Sequence, residues 1–221
     1  MRQIFILIVL FSSLSTYAQN PLQACPEIDL GPDTTIICSS TCIQLEASVQ
    51  EVGETSSYSV SSIAYSPPYL FNQGTPIMVG LDDVFSETID LPFNFCFFNN
   101  IYDKIVVGAN GIITFDTTLA SPPGFNWFTA SVCDWPFTQS IPNTIGLPYR
   151  NSINGAYHDI NPSVSGNIRY GILGTYPCRT FIVNYESIPH FSCTSLVTTQ
   201  QIVIYESTNI IEVYIQNNKE I

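Results

Sequence analysis

A chain of 221 residues with 45% hydrophobic content can bury one sizeable core, so one domain plus a short N-terminal attachment is the starting expectation. Charged residues make up only 11%, against about a quarter in ordinary globular domains; the polar surface falls to Ser, Thr, Asn and Gln, which suits an exported all-β domain better than a helical cytosolic enzyme. With 18 acidic against six basic residues the net charge is −12 and no basic run occurs, which argues against nucleic acid and anionic membrane surfaces as partners.

The N-terminus reads as an export signal over residues 1–18. Met1, Arg2 and Gln3 form a short basic start, 4–14 are apolar, and Thr16-Tyr17-Ala18 places small residues before a cut at Gln19. The apolar run is too short to span a bilayer as a helix, and no later stretch is long enough, so no membrane insertion is expected after cleavage. Cys25 lies several positions past the cut, which argues against a lipid anchor. Seven cysteines remain, and in an exported chain they read as disulfides before metal ligands. Cys38 and Cys42 are close enough to staple a turn, and Cys178 and Cys193 bracket one strand and its following loop; these are the two expected pairs, subject to geometry. The odd cysteine is left as a thiol or as the partner of one beyond Ile221.

Residues 19–56 are expected to form a cysteine-containing β segment and linker, with short strands at 34–38 and 42–47 around a polar turn. Residues 57–63 alternate, with Tyr58, Val60 and Ser62 on one face, and a proline-rich loop follows at 67–74. The strongest local signal is the run 91–98, Leu-Pro-Phe-Asn-Phe-Cys-Phe-Phe, followed by Tyr102 and 106–115. It reads as two or three strands closed by Asn110-Gly111, a pair that can take the positive φ angles of tight hairpin turns. Residues 117–154 are the least regular, a loop or a set of short elements. Strands are expected again at 168–173, 179–185, 200–205 and 210–216, the last two joined by a hairpin over 206–209. No stretch keeps a helical period, and the architecture implied is an all-β antiparallel sandwich with a long irregular loop region.

Residues 57–221 resemble a nidogen-like (NIDO) domain. The resemblance rests on five motifs in order: Leu-Pro-Phe-x-Phe-x-Phe-Phe at 91–98, Val-x-x-Asn-Gly-x-Ile-x-Phe at 107–115, Tyr-x-Asp-Ile-Asn at 157–161, the strand at 179–183, and the hairpin from Gln200 to Glu212. It implies an extracellular module of the kind found in matrix and adhesion proteins. In Bacteroidetes such domains sit in long secreted proteins exported by the type IX system and labelled gliding-motility-associated. The opening at 25–52 similarly resembles immunoglobulin-like or PKD-like modules of such surface proteins. Members of the family commonly continue with further strands and another cysteine, so further domains are expected beyond Ile221.

Asp82-Asp83 offers carboxylates, the donors Ca²⁺ prefers. Neighbouring strand residues point to opposite faces, so one ion takes both only if the pair lies in a loop; a solvated turn is the plainer reading, and no cofactor other than this Ca²⁺ is considered. His158 and Asp159, with Asp116 or His190, are the other titratable group. Two histidines in the whole chain, neither at ligand spacing, argue against zinc, and Asp159 is read as accepting backbone hydrogen bonds at a strand end. Catalysis lacks a motif: Ser163-Val164-Ser165-Gly166 misses the first glycine of a nucleophile elbow, no phosphate loop occurs, and an exported Cys133 reads as oxidised rather than nucleophilic.

Phe125, Trp127, Phe128, Trp135, Phe137 and Tyr149 crowd the irregular region. Loop aromatics stack on sugars or anchor protein partners, or else they cap an open end of the sandwich; Trp127, Phe128, Trp135 and Tyr149 are the candidate ligand-binding residues. The expected object is a non-catalytic adhesion or structural module of a larger secreted or cell-surface bacterial protein, meeting an extracellular protein or glycan surface. The alternative is a carbohydrate-recognition module attached to a polysaccharide-degrading protein.

Overall fold

The computed structural model describes residues 25–26, 28–33, 35, 44–49, 55–78, 80–133 and 150–217. The expected leader, the Cys38 and Cys42 staple, and Trp135, Phe137 and Tyr149 lie outside these residues. In chain order the strands are β1 (Ile28–Asp29), β2 (Ser48–Val49), β3 (Thr75–Ile77), β4 (Ile89–Phe97), β5 (Asn100–Gly108) and β6 (Ile112–Thr114). A short 3-10 turn at Thr117–Leu119 follows, then β7 (Ser152–Asn154), β8 (Asn167–Leu173), β9 (Thr180–His190), β10 (Cys193–Tyr205) and β11 (Ile211–Asn217). One sheet has the order β11-β10-β9-β8-β3 and the other β4-β5-β6-β7, all pairs antiparallel, with β1 and β2 forming a separate ribbon. The two larger sheets make a β-sandwich.

Alternation along β4 explains its place. Leu91, Phe93, Phe95 and Phe97 are buried while the residues between them are not, the period-two pattern of a strand with one face in the core. Pro92 is tolerated because β4 is an edge strand whose ladder to β5 is interrupted between Asp90 and Phe95. Across the core these rings meet Phe181, Val183 and Tyr185 of β9 and Ile202 and Ile204 of β10, and Phe95 stacks on Phe115 with ring centres 5.6 Å apart.

Three expectations are corrected. Thr35 and Gln44–Ala47 are irregular rather than part of strands, and the paired residues are 28–29 and 48–49; 44–47 are exposed and lack the buried face that a stable strand needs. Residues 57–63 form no strand, since only Tyr58 finds the core, against Phe97 and Phe98, while Val60 is fully exposed. The 110–111 turn is a three-residue loop, 109–111, with positive φ (84°) at Gly111 and none at Asn110. Asn110 is held by its side chain instead, as described below.

The disulfide expectation also changes. Cys178 bonds Cys25, with Cα atoms 4.8 Å apart, and not Cys193. Flanking a strand puts the two cysteines at its opposite ends: β9 has 11 residues, which at about 3.3 Å per residue spans roughly 35 Å, far beyond disulfide reach. The observed bond ties the N-terminal ribbon segment to the β8–β9 connection.

The outer face of the five-stranded sheet is not left to solvent. Ile182, Val203, Tyr205 and Tyr214 cluster there, with Tyr69 and Leu173 packed against them. The proline-rich segment 65–73 runs over this face as a strap. Asn184 Nδ2 donates to the carbonyls of Leu70 (3.1 Å) and Gln73 (3.3 Å), and Gln201 Nε2 to that of Tyr69 (2.9 Å). Among the described residues no helix is long and apolar enough to cross a membrane.

Candidate functional site

Asp83 and Trp127, two of the residues singled out from the sequence, come together near the tip of the β5–β6 hairpin. Asn110 is buried at the tip of the β5–β6 hairpin. Its Nδ2 donates to Asp83 Oδ1 (2.8 Å) and to the Cys133 carbonyl (2.8 Å), and its Oδ1 accepts from Ile160 N–H (3.1 Å). Three chain segments far apart in sequence therefore converge on one amide. Asp83 takes a positive φ of 50°, so the aspartate pair sits in a turn and not on a strand. Asp82 Oδ1 accepts the Asp83 N–H at 3.1 Å. The Asp82 carboxyl is pushed up to about 7, first by burial and then by the Asp83 charge, with a further contribution from Asp159. Among the described residues, no group of three or more His, Cys, Asp or Glu is placed to hold a metal ion.

Beside this turn stands an aromatic knuckle. Asn126 Oδ1 accepts from Phe128 N–H (2.9 Å), and the Asn126 carbonyl accepts from the N–H groups of Thr129 (3.0 Å) and Ala130 (2.9 Å). The knuckle is joined to the aspartate turn by the Val84 and Val132 bridge and by Cys133 N–H donating to the Asp83 carbonyl at 2.8 Å. Trp127 is 58% and Phe128 93% exposed, with Val132 also exposed, while Phe125 packs partly buried against the core. Trp127, Ala130, Val132, Val84 and Asp83 line a shallow hollow of about 270 Å³. The knuckle thus presents apolar surface outward.

A larger groove lies on the outer face of the five-stranded sheet. It encloses about 770 Å³ between the strap residues Tyr65, Pro67, Pro68, Tyr69, Phe71 and Gln73 on one side and Leu173 and Gln216 on the other. Among the described residues, no carboxylate, amine or guanidinium lines it. Aromatic faces and amide groups without charge suit a neutral ligand that combines an apolar face with hydroxyls. The sequence marked 67–74 as a loop, with no binding role. The signal that could have found it was the density of aromatics and prolines in this segment.

The two histidines also meet. His158 Nε2 lies 3.3 Å from His190 Nε2 and 2.8 Å from Thr198 Oγ1, and His190 Nε2 lies 3.0 Å from that same hydroxyl. His158 Nδ1 is 2.9 Å from the Ala156 carbonyl and donates to it, which leaves Nε2 as the acceptor. Burial lowers both imidazoles below their ordinary value; for His158 the Ala156 bond partly offsets this and the proximity of His190 adds to it. The sequence offers His158 either Asp116 or His190 as a neighbour; the bridge between Ile160 and His190 and the pairing of β9 with β10 select His190, 32 residues away. The Asp159 backbone carbonyl accepts from Phe191 N–H at 3.0 Å, a main-chain contact that does not use the carboxylate.

No curated protein and no solved structure matches the chain. Residues 57–221 match the family described as NIDO related. That span holds both large sheets, the aspartate turn, the knuckle and the groove. By this match over most of its length, the chain belongs to the NIDO-related family.

Proposed function

We propose that the chain is a non-catalytic adhesion or structural module of a larger secreted or cell-surface protein, of the gliding-motility-associated kind that Bacteroidetes export through the type IX system. Family membership supports an extracellular module, and the Cys25–Cys178 disulfide suits an oxidising compartment. The observation that carries the adhesive part is the knuckle: Phe128 and Trp127 are held outward by a hydrogen-bonded turn. Exposing a large aromatic wastes burial worth about 1.5–3 kcal/mol, and a clustered, backbone-fixed pair is the form a protein-contact anchor takes. Retention of beads coated with the full chain on glycoprotein-coated glass tests this. Trp127→Ser with Phe128→Ser is expected to release the beads while leaving the circular dichroism spectrum unchanged; equal retention of the double variant would overturn the knuckle's role.

The second reading, a carbohydrate-recognition module carried by a polysaccharide-degrading protein, draws on the uncharged aromatic groove under the strap. Calorimetric titration with neutral oligosaccharides separates the two. Binding lost in Tyr65→Ala but kept in the knuckle variant favours the groove, and no heat with any neutral glycan removes this reading.

A further inference from the structure

The strongest convergence of donor atoms outside the knuckle and groove is the triangle of His158 Nε2, His190 Nε2 and Thr198 Oγ1, with edges of 2.8, 3.0 and 3.3 Å. We propose that these three atoms form a site for a divalent cation of the zinc class, which staples the 155–161 loop to the β9–β10 hairpin.

The dimensions fit. Two imidazole nitrogens each about 2.05 Å from a tetrahedral Zn²⁺ stand roughly 3.3 Å apart, which is the separation of the two Nε2 atoms. The shorter edges to the hydroxyl correspond to angles near 90° at the ion, as zinc accepts when it expands beyond four ligands. Neutral imidazole with hydroxyl and water is a donor set that suits Zn²⁺ or Cu²⁺ over Ca²⁺ or Mg²⁺, which take oxygen alone.

The orientation of His158 fits as well. A metal-binding histidine almost always donates its other ring N–H to a carbonyl or carboxylate, which fixes its tautomer. His158 does this through Nδ1 to the Ala156 carbonyl, so its Nε2 lone pair is directed at the triangle. His190 ends β9, and Thr198 lies on β10 between its two register shifts, so two of the three donors stand on paired strands. Rigid elements of this kind hold a site more tightly than loops do. The third donor is fixed in turn by Ile160, which bridges His190 and donates to Asn110.

In the absence of an ion the same atoms hydrogen-bond in a line: His190 Nε2–H to the Thr198 oxygen, and the Thr198 hydroxyl to His158 Nε2. The cation displaces both bridging hydrogens: His190 shifts its proton to Nδ1, and Thr198 keeps its hydroxyl hydrogen, turned away from His158, and binds as a neutral oxygen donor, so no net proton is released. His190 and Thr198 are buried and His158 half-buried, so the remaining coordination positions are filled by water from the His158 side. Two imidazoles and a hydroxyl are fewer protein ligands than the four of a structural zinc site, and the affinity expected is micromolar rather than nanomolar.

The test is calorimetry of the full chain, stripped by chelator, with Zn²⁺, alongside electron paramagnetic resonance with Cu²⁺. One ion per chain is expected, with coupling to two nitrogens in the copper spectrum. His158→Asn and His190→Asn are each expected to weaken binding at least about tenfold, and Zn²⁺ to raise the thermal midpoint of the parent chain but not of these variants. Cys193 lies opposite His190 in the β9–β10 pairing, so Cys193→Ser is the control and is expected to leave binding unchanged. Because His190 is buried, the half-buried His158→Asn, checked for its β-sheet spectrum, is the deciding variant. Absence of Zn²⁺ binding at millimolar concentration, or binding that persists unchanged in folded His158→Asn, would overturn the site.

Discussion

Asn110 Nδ2 donates to Asp83 Oδ1 at 2.8 Å and thereby ties the tip of the β5–β6 hairpin to the turn that precedes β4. The same amide holds the Cys133 carbonyl and Ile160 N–H. Asn110→Ala removes all three hydrogen bonds at once, and the buried Ile160 N–H loses its acceptor, at about 1–3 kcal/mol, with about 1 kcal/mol for each of the other two bonds. The expected loss is on the order of 3–4 kcal/mol in urea unfolding. Asn110→Asp keeps the acceptor for Ile160 N–H but sets a carboxylate against Asp83, so it is expected to be destabilising at pH 8 and less so at pH 5. Equal stability of Asn110→Ala and the parent chain would show that the hub is incidental to the fold.

Asp82 gives the fold a pH dependence of unusual sign for a carboxylate. Its folded value, about 7, is raised above the ordinary 3.8 by burial and by the charges of Asp83 and Asp159. A raised value means the folded state holds the proton more tightly, so this contribution is fully present below pH 3.8. It is lost as the pH climbs through 7. Asp82→Asn keeps the acceptor for Asp83 N–H without the charge. The variant is expected to be more stable than the parent at pH 8 by a few kcal/mol at most, and to match it at pH 4. A parent chain whose urea midpoint, relative to Asp82→Asn, does not change between pH 4 and 8 would rule out a protonated Asp82.

The Cys25–Cys178 bond closes a loop of 153 residues. In the chain-entropy account such a closure is worth about 5 kcal/mol at most. Peptide mapping without reductant is expected to recover the 25–178 link in the parent chain and in Cys193→Ser alike, and Cys178→Ser is expected to lower the thermal midpoint clearly. Recovery of a 178–193 peptide in its place would contradict both the pairing and the placement of β9 between these cysteines.

What could be read from the residues alone was whatever a single strand or hairpin decides. The alternating residues of 91–97 declare themselves because period-two burial is a local pattern, and the strand expected at 168–173 and the hairpin over 206–209 do so through β-branched and aromatic runs bounded by polar turns. What long-range register decides stayed hidden. Cys178 finds its partner across 153 residues, the choice of His190 over Asp116 as the neighbour of His158 is made only by the fold, and Asn110, read as a turn former, is a buried polar hub. The strap at 65–73 was visible as proline-rich, but which face it covers depends on Asn184 and Gln201 pointing outward from neighbouring strands. Trp127 and Phe128 stand out in the sequence only as members of an aromatic cluster, and it is their exposure that distinguishes an outward knuckle from a capping layer.

The strap makes its own prediction through Gly171. A methyl group at this β8 position would lie 2.9 Å from ring carbons of Tyr69, closer than carbon atoms pack. In an ordinary strand interior, replacing glycine by alanine is neutral or favourable, because glycine weakens the strand. Here the sign reverses: the ring must leave the sheet face while Gln201 and Asn184 still hold the strap backbone, and Gly171→Ala is expected to cost about 1–3 kcal/mol. In a Tyr69→Ala background the ring is gone, and adding Gly171→Ala is expected to cost nothing or to stabilise slightly, a coupling that a double-mutant cycle reads directly. The same cycle reports on the groove, since Tyr69 is one of its walls. A glycine replacement equally costly in both backgrounds would place the obstruction in the sheet itself and leave the strap free to move off the outer face.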